Sequence, residues 1–228
     1  MSADKINTPI LITGAERSGA TIVAKAIEMC DVFTGVTTNM NENIAVWGLM
    51  TNLLESSPNP ELMPASDSLY IPVNWRERVY EMLNKDGYKK GAWMIKSSLL
   101  AQLWPVWHYA FPNAKWIIVR RRTGDIIQSC MKTAYMRDKY DWNQLNKTEQ
   151  QGWLWWVHQY EQKFVEMIES GVNCKVVWPE RMVSGDYNQM FETVDWLGLK
   201  WNSKIYDVID PMLEKSRRKE NVSTSTSN

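Results

Sequence analysis

Apolar positions along the chain fall into two kinds of run. Short continuous stretches at 10–12, 92–96, 115–119 and 176–178 carry mostly Ile, Val, Trp, Met and Leu. That length and content predict strands buried on both faces. Between them, apolar residues recur at helical spacing. Ile22, Val23, Ala26 and Ile27 predict the inner face of a first helix that ends near Cys30. Ile44, Trp47 and Leu54 predict a second helix over 44–54, and Trp75, Val79, Met82 and Leu83 a third over 75–85. The stretch 99–110 reads as a packed helix interrupted by Pro105, and 123–138 as a helix with Ile126, Ile127, Cys130 and Met131 inward. A long helix spans 148–170, capped by Thr148 and ended by Gly171. Met190, Phe191, Val194 and Leu197 mark another over 187–197, stopped by Gly198, and a last helix is expected over 203–216.

Polar punctuation completes the pattern. Val32-Phe33 is a candidate for one more short strand, followed by the polar loop 37–43. Prolines at 58, 60, 64 and 72 make 56–72 a long surface loop of the kind that forms lids or binding loops. A polar link covers 139–147, and the Ser/Thr-rich tail 221–228 is expected to be disordered. Strands separated by helices throughout predict an α/β fold: one domain over 1–220, with a parallel sheet of four to five strands flanked by helices on both faces.

Composition narrows the function. The 228 residues carry a formal net charge of zero, which argues against a nucleic-acid partner, whose signature is a basic surplus. Thirteen tryptophans predict a core and cleft walls rich in large rings. The three cysteines, Cys30, Cys130 and Cys174, are odd in number and set in apolar surroundings, the pattern of buried thiols in a reducing compartment. The polar N-terminus lacks an apolar targeting core, and no segment approaches the ~20 apolar residues of a membrane span. The expectation is a cytoplasmic protein with no membrane partner.

The chemistry concentrates at two places. In the first, a strand, a glycine-bearing loop and a helix follow one another from Ile10 to Ile27. That order aims backbone N–H groups and a helix N-terminus at one point, where phosphate is the usual occupant. The spacing Gly14-x4-Gly19-x-Thr21 nearly matches the nucleotide-binding P-loop, but Ala20 stands where that motif needs lysine. The nearby cation is Arg17. The bland reading is a βα turn in which Ser18 and Thr21 cap the helix. In the second, Arg120, Arg121 and Arg122 stand at the C-terminal end of a buried strand, where open α/β sheets place ligands. Guanidinium binds phosphate through paired, planar hydrogen bonds. Ser129 follows Asp125 by one helical turn and adds a hydroxyl. Here the bland reading is a solvated basic loop.

Together these segments resemble the sulfotransferases that use 3′-phosphoadenosine 5′-phosphosulfate (PAPS), with a P-loop-like fold. Ala15-Glu16-Arg17-Ser18-Gly19-Ala20-Thr21 is similar to that family's 5′-phosphosulfate loop, a basic residue followed by Ser-Gly-Thr-Thr, with Ala20 for the first Thr. Val119 to Ser129 resembles the 3′-phosphate motif Arg-Asn-Pro-x-Asp-(three residues)-Ser, with Arg122 for Asn and Thr123 for Pro. The stretch from Gly91 to Leu99 looks like the strand bearing the catalytic lysine, here Lys96, with Ser98 where cytosolic members hold a histidine base. The segment from Val176 to Gly198 is similar to the late strand and closing helix, with Pro179-Glu180 for the common Tyr-Glu pair and Trp178 as a substitute aromatic. The likeness is weak over 31–90, where members differ by acceptor, and is nearer the bacterial and tyrosylprotein types than the His-base type.

The resemblance implies transfer of a sulfuryl group from PAPS to a hydroxyl or amine, without metal. Gly14, Arg17, Ser18, Gly19, Ala20 and Thr21 would hold the 5′-phosphosulfate, and Arg121 and Ser129 the 3′-phosphate. The basic cluster at Arg217 and Arg218 matches a C-terminal segment that touches the same phosphate. Arg17, Lys96 and Glu42 are the catalytic candidates. Members such as the tyrosylprotein type carry a glutamate base in the loop after the first helix, and the resemblance implies that role for Glu42; His108 and His158 lie inside predicted helices, and Glu16 is expected to face outward. The acceptor is a small molecule, sugar or peptide, its pocket shaped by 39–43, 56–72 and the link around Trp142. The rivals are a P-loop kinase or NTPase, which lacks its lysine here, and a nucleotide-binding module without catalysis, which Ser98 favours.

Overall fold

The computed structural model describes residues 8–56, 63–133 and 142–208. Strand β1 (Ile10–Gly14) is buried at all five positions and lies between two parallel neighbours. The sheet order is β2-β1-β3-β4, with β2 Met94–Lys96, β3 Lys115–Val119 and β4 Cys174–Val177, every pairing parallel. Side chains alternate across it. Leu11, Ile95, Trp116 and Ile118 enter one apolar cluster, and Ile10, Ile12, Met94, Ile117 and Val119 enter another. Two cores, one on each face, are what a sheet covered on both sides requires.

The faces differ in composition. The first cluster gathers α2 (Ile44–Glu55), α3 (Trp75–Lys85), α4 (Leu99–Gln102), α5 (Trp104–Ala110), α6 (Thr123–Thr133) and α7 (Glu149–Glu169). Its buried tryptophans are Trp75, Trp93, Trp104, Trp107, Trp116, Trp142, Trp153 and Trp156. The second packs α1 (Ala20–Glu28), α8 (Pro179–Val183) and α9 (Asn188–Leu197) with aliphatic side chains and methionines. Pure area bookkeeping assigns about 25 cal/mol to each Å² of apolar surface removed from water, so the ring-filled face carries the larger share of burial energy.

Several expectations shift. Val32-Phe33 makes no strand beyond one bridge, Phe33 to Trp93. Helix α2 buries Val46, Met50 and Leu53, while Ile44 and Trp47 are exposed. Its apolar residues nearly encircle it, so spacing alone did not select the face. Met131 is likewise exposed. The stretch 99–110 breaks at Leu103 rather than at Pro105, because proline suits the first turn of α5, where its missing N–H is no loss. Trp142 is buried against Trp153 as a core residue, and the backbone of Gly152 leaves room for its ring; residues 140 and 141 of the same link lie outside the described residues. Helix α6 is described to Thr133 and the last element as a short 3-10 turn, Ser203–Val208. Arg217, Arg218 and the tail 221–228 lie outside the described residues. Cys30, Cys130 and Cys174 are free thiols, and burial pushes Cys130 up to about 12.

Candidate functional site

Among the described candidates, Gly14 to Thr21, Lys96 and Arg121 stand at or just beyond the C-terminal ends of β1, β2 and β3, with Ser129 on the helix that follows β3 and Glu42 in the loop after α1. From β1 the chain leads to β2 on one side, and from β3 it leads to β4 on the other. Their exits diverge, which opens a crevice between the loops that follow β1 and β3.

The β1–α1 loop is shaped for an anion. Gly14 has no room for a Cβ, which would lie 2.5 Å from Ser18 Oγ and 2.6 Å from the Val119 carbonyl. Arg17 adopts φ 63° and Gly19 φ 90°. A left-handed arginine costs on the order of 1 kcal/mol, a strain found where backbone is fixed for a purpose. Gly19 caps α1 without any side-chain hydrogen bond, so the first-turn N–H groups are not consumed by a Ser or Thr cap. The capping reading of Ser18 and Thr21 therefore fails. Ser18 is 1% exposed and its hydroxyl has no partner. Ala20 turns its methyl into the second core cluster, so its place in the loop is a packing position with a backbone amide alone to offer.

Across the crevice, Arg17 Nε donates to Ser129 Oγ at 3.1 Å, and Arg121 Nη1 donates to the Arg17 carbonyl at 3.2 Å. Residues more than a hundred positions apart thus meet at one point. They line a cavity of about 380 Å³ with Ser18, Gly19 and Asp125. Gln128, Lys132 and Thr133 of α6, Pro179, Glu180 and Val183 of α8, and Ile22 of α1 also line it; of these the α6 residues carried no signal recognisable without the fold. Arg120 goes elsewhere: it pairs with Glu161 of α7, Nη2 to Oε2 2.5 Å, and lies 5.3 Å over the Trp178 ring. Trp178 is accordingly covered by arginine and is not among the cavity-lining residues.

A second group assembles on the β2 side of the loop. Lys96 Nζ, at the end of β2, donates to the Met40 carbonyl at 3.1 Å and to Glu42 Oε1 at 3.3 Å. Thr21 Oγ1 donates to the same carbonyl at 3.3 Å. Glu42 is presented by a closed loop in which Thr37 pairs with Asn43, and the Thr38 hydroxyl accepts from the Glu42 N–H. Asn43 is spent on structure, capping α2 and donating to Asp86. Lys96 is nearly buried, which strengthens its attraction to any anion.

Glu16 departs from expectation. It turns inward, accepting from Trp156 Nε1 at 2.7 Å and Tyr160 OH at 3.0 Å, with the Ser98 hydroxyl also bonded to it. Burial pushes its carboxyl above the usual carboxylate range despite those bonds. The acid anchors the β1–α1 loop to α7 and is turned away from the loop mouth. Ser98 is occupied with that anchor. His108 packs against Trp104, His158 is exposed on α7, and neither is among the residues lining the cavity.

A four-stranded parallel sheet covered by helices on both faces, with a glycine-bearing loop after its first strand and basic residues after the strand beside it, is an α/β fold. It resembles that of sulfotransferases. The chain superposes on sulfotransferase STF1 of Mycobacterium tuberculosis H37Rv with a TM-score of 0.55 and 11% identity, covering 90% of this chain and 71% of that one. With STF9 of Mycobacterium avium the TM-score is 0.55 and the identity 11%, covering 98% and 69%. No protein-family model and no curated protein sequence matches.

Proposed function

We propose that this protein is a PAPS-dependent sulfotransferase that acts on a hydroxyl or amine of its acceptor. One observation carries the reading: Arg17, Arg121 and Ser129 converge on a cavity beside the buried, unpartnered hydroxyl of Ser18. Three cations, Arg17, Arg121 and Lys132, with an orphaned hydroxyl and a free helix N-terminus suit a ligand bearing two phosphate groups. PAPS, when bound, supplies the sulfuryl group.

In this reading the loop amides of Gly14 to Thr21 and Ser18 Oγ hold the 5′-phosphosulfate. Arg17, bonded to Ser129 on the β3 side, and Lys96, bonded to Glu42 on the β2 side, would supply positive charge to offset what develops on the leaving phosphate. Arg121 and Ser129 hold the 3′-phosphate and so prefer this donor to ATP. Glu42, paired with Lys96, accepts the acceptor's proton as the acceptor oxygen or nitrogen bonds to sulfur and the sulfur–phosphate oxygen bond breaks. The products are the sulfated acceptor and adenosine 3′,5′-bisphosphate (3′,5′-ADP). Ala20 disfavours a P-loop kinase, because the position that would carry lysine packs into the core.

The test is transfer of labelled sulfate from PAPS over a panel of phenols, sugars and tyrosine peptides. Transfer to one class that disappears in Lys96→Ala is expected. Binding of 3′,5′-ADP with neither transfer nor slow donor hydrolysis would favour the non-catalytic module.

A further inference from the structure

The loop beside Lys96 and the start of α2 leave apolar side chains in water. Val36, Met40, Ile44 and Trp47 are all exposed. Among the described residues Trp47 is the only exposed tryptophan, in a molecule that otherwise turns these rings inward. Single exposed apolar residues are ordinary, but a group of them beside a candidate site marks a surface that something covers.

Backbone geometry ties this surface to Glu42. Residues 36–44 fold back on themselves: the Ile44 N–H donates to the Val36 carbonyl at 3.0 Å, the Thr38 N–H donates to the Glu42 carbonyl at 2.9 Å, and Thr37 pairs with Asn43 between them. Side chains alternate along such a pairing, so Val36, Glu42 and Ile44 share one face and Asn43 takes the other. Asn43 is buried where it caps α2 and donates to Asp86. The face with Val36 and Ile44 is therefore the open one, and Glu42 belongs to it. Trp47 follows Ile44 by one helical turn, on the same side of α2. Met40 stands near the tip, its carbonyl held by Lys96 and Thr21. Polar atoms nearby are spent inside the loop: Thr38 Oγ1 accepts from the Met40 and Glu42 N–H groups, and Asp86 accepts from the Val36 N–H.

We infer that the acceptor is an alcohol carried on a flat apolar body, a phenol or fused-ring alcohol, whose rings cover Val36, Ile44 and Trp47 while its hydroxyl reaches Glu42. The inference rests on the sulfotransferase reading above and narrows its acceptor to one class. A sugar's hydroxyls or a peptide's backbone would be held against Val36 and Ile44, which offer neither donor nor acceptor, and would lose water there without replacement. A flat ring loses nothing at the aliphatic side chains and stacks on Trp47. The hydroxyl gives its proton to Glu42 as its oxygen takes the sulfuryl group, so the apolar face positions the acceptor and Glu42 and Lys96 act on it.

Steady-state transfer of labelled sulfate from PAPS to phenol and to 2-naphthol compares acceptors that differ by one ring. In the wild type kcat/KM is expected to be about 10-fold higher for 2-naphthol, the scale of one further ring's surface leaving water, with glucose and a tyrosine peptide below both. In Trp47→Ala the preference for 2-naphthol should collapse through a raised KM with kcat little changed, while calorimetry shows 3′,5′-ADP affinity intact and so a folded donor site. Equal kcat/KM for the two phenols, a preference for glucose or the tyrosine peptide, or an undiminished 2-naphthol preference in Trp47→Ala would overturn the inference and leave the sulfotransferase reading standing. Transfer to none of the four would overturn the enzyme reading and this inference together.

Discussion

The two groups on either side of the β1–α1 loop are built differently. Between β1 and β3, Arg17, Arg121 and Ser129 come from regular elements or the loops directly attached to them, and they hold one another around an open cavity. Beside β2, Lys96 rises from a strand, but Glu42 and the Met40 carbonyl come from the irregular loop after α1. The first arrangement suits an invariant partner, such as a nucleotide donor. The second suits a reaction whose other substrate varies, because loops change without disturbing the sheet. The comparison predicts separable defects: changes on the β3 side should weaken donor binding, and changes on the β2 side should slow turnover.

Lys96→Ala is expected to give the largest effect, a loss of turnover on the order of 100- to 1000-fold, the range for removing a group aimed at developing charge. Single-turnover kinetics with PAPS would measure it. Glu42→Gln should lower turnover at least ~100-fold and leave 3′,5′-ADP affinity unchanged, which titration beside the same assay would establish. Normal turnover in that variant would remove Glu42 as base. On the other side, Arg121→Ala should weaken 3′,5′-ADP binding by ~2 kcal/mol, a factor of about 30. If turnover at saturating donor fell instead, the division into two groups would be wrong.

The smallest effect concerns the anchor beneath both groups. Burial raises the Glu16 carboxyl from its ordinary value of 4.5, so the folded state holds that proton more tightly than the unfolded chain. Stability from this group is complete below the unfolded value and declines as pH rises through the folded one. Chemical denaturation across that window should show the decline in the wild type and a flatter profile in Glu16→Gln, which has no proton to lose. Parallel profiles would mean that Glu16 titrates normally.

Much of this was readable in the chain, for local reasons. Strand β3 and helix α3 fall where apolar runs and helical spacing put them, over 115–119 and 75–85. The Gly14–Thr21 loop and the Arg121–Ser129 spacing are contiguous motifs, so their residue types were visible before their contacts. What was not legible depends on distant partners. Nothing near Glu16 in sequence announces Trp156 and Tyr160, and nothing near Arg120 announces its pairing with Glu161. Helix α2 is apolar almost all round, so its inward face waits on the elements it packs against. Helix α8 is one short turn whose proline start resembles a loop.

The central claim is that the crevice between β1 and β3 selects a nucleotide by its 3′-phosphate. Calorimetric titration of the intact chain with 3′,5′-ADP, and separately with ATP and Mg²⁺, tests it most directly. The account predicts binding of 3′,5′-ADP that ATP with Mg²⁺ does not displace. Tight binding of ATP with Mg²⁺, and none of 3′,5′-ADP, would contradict it.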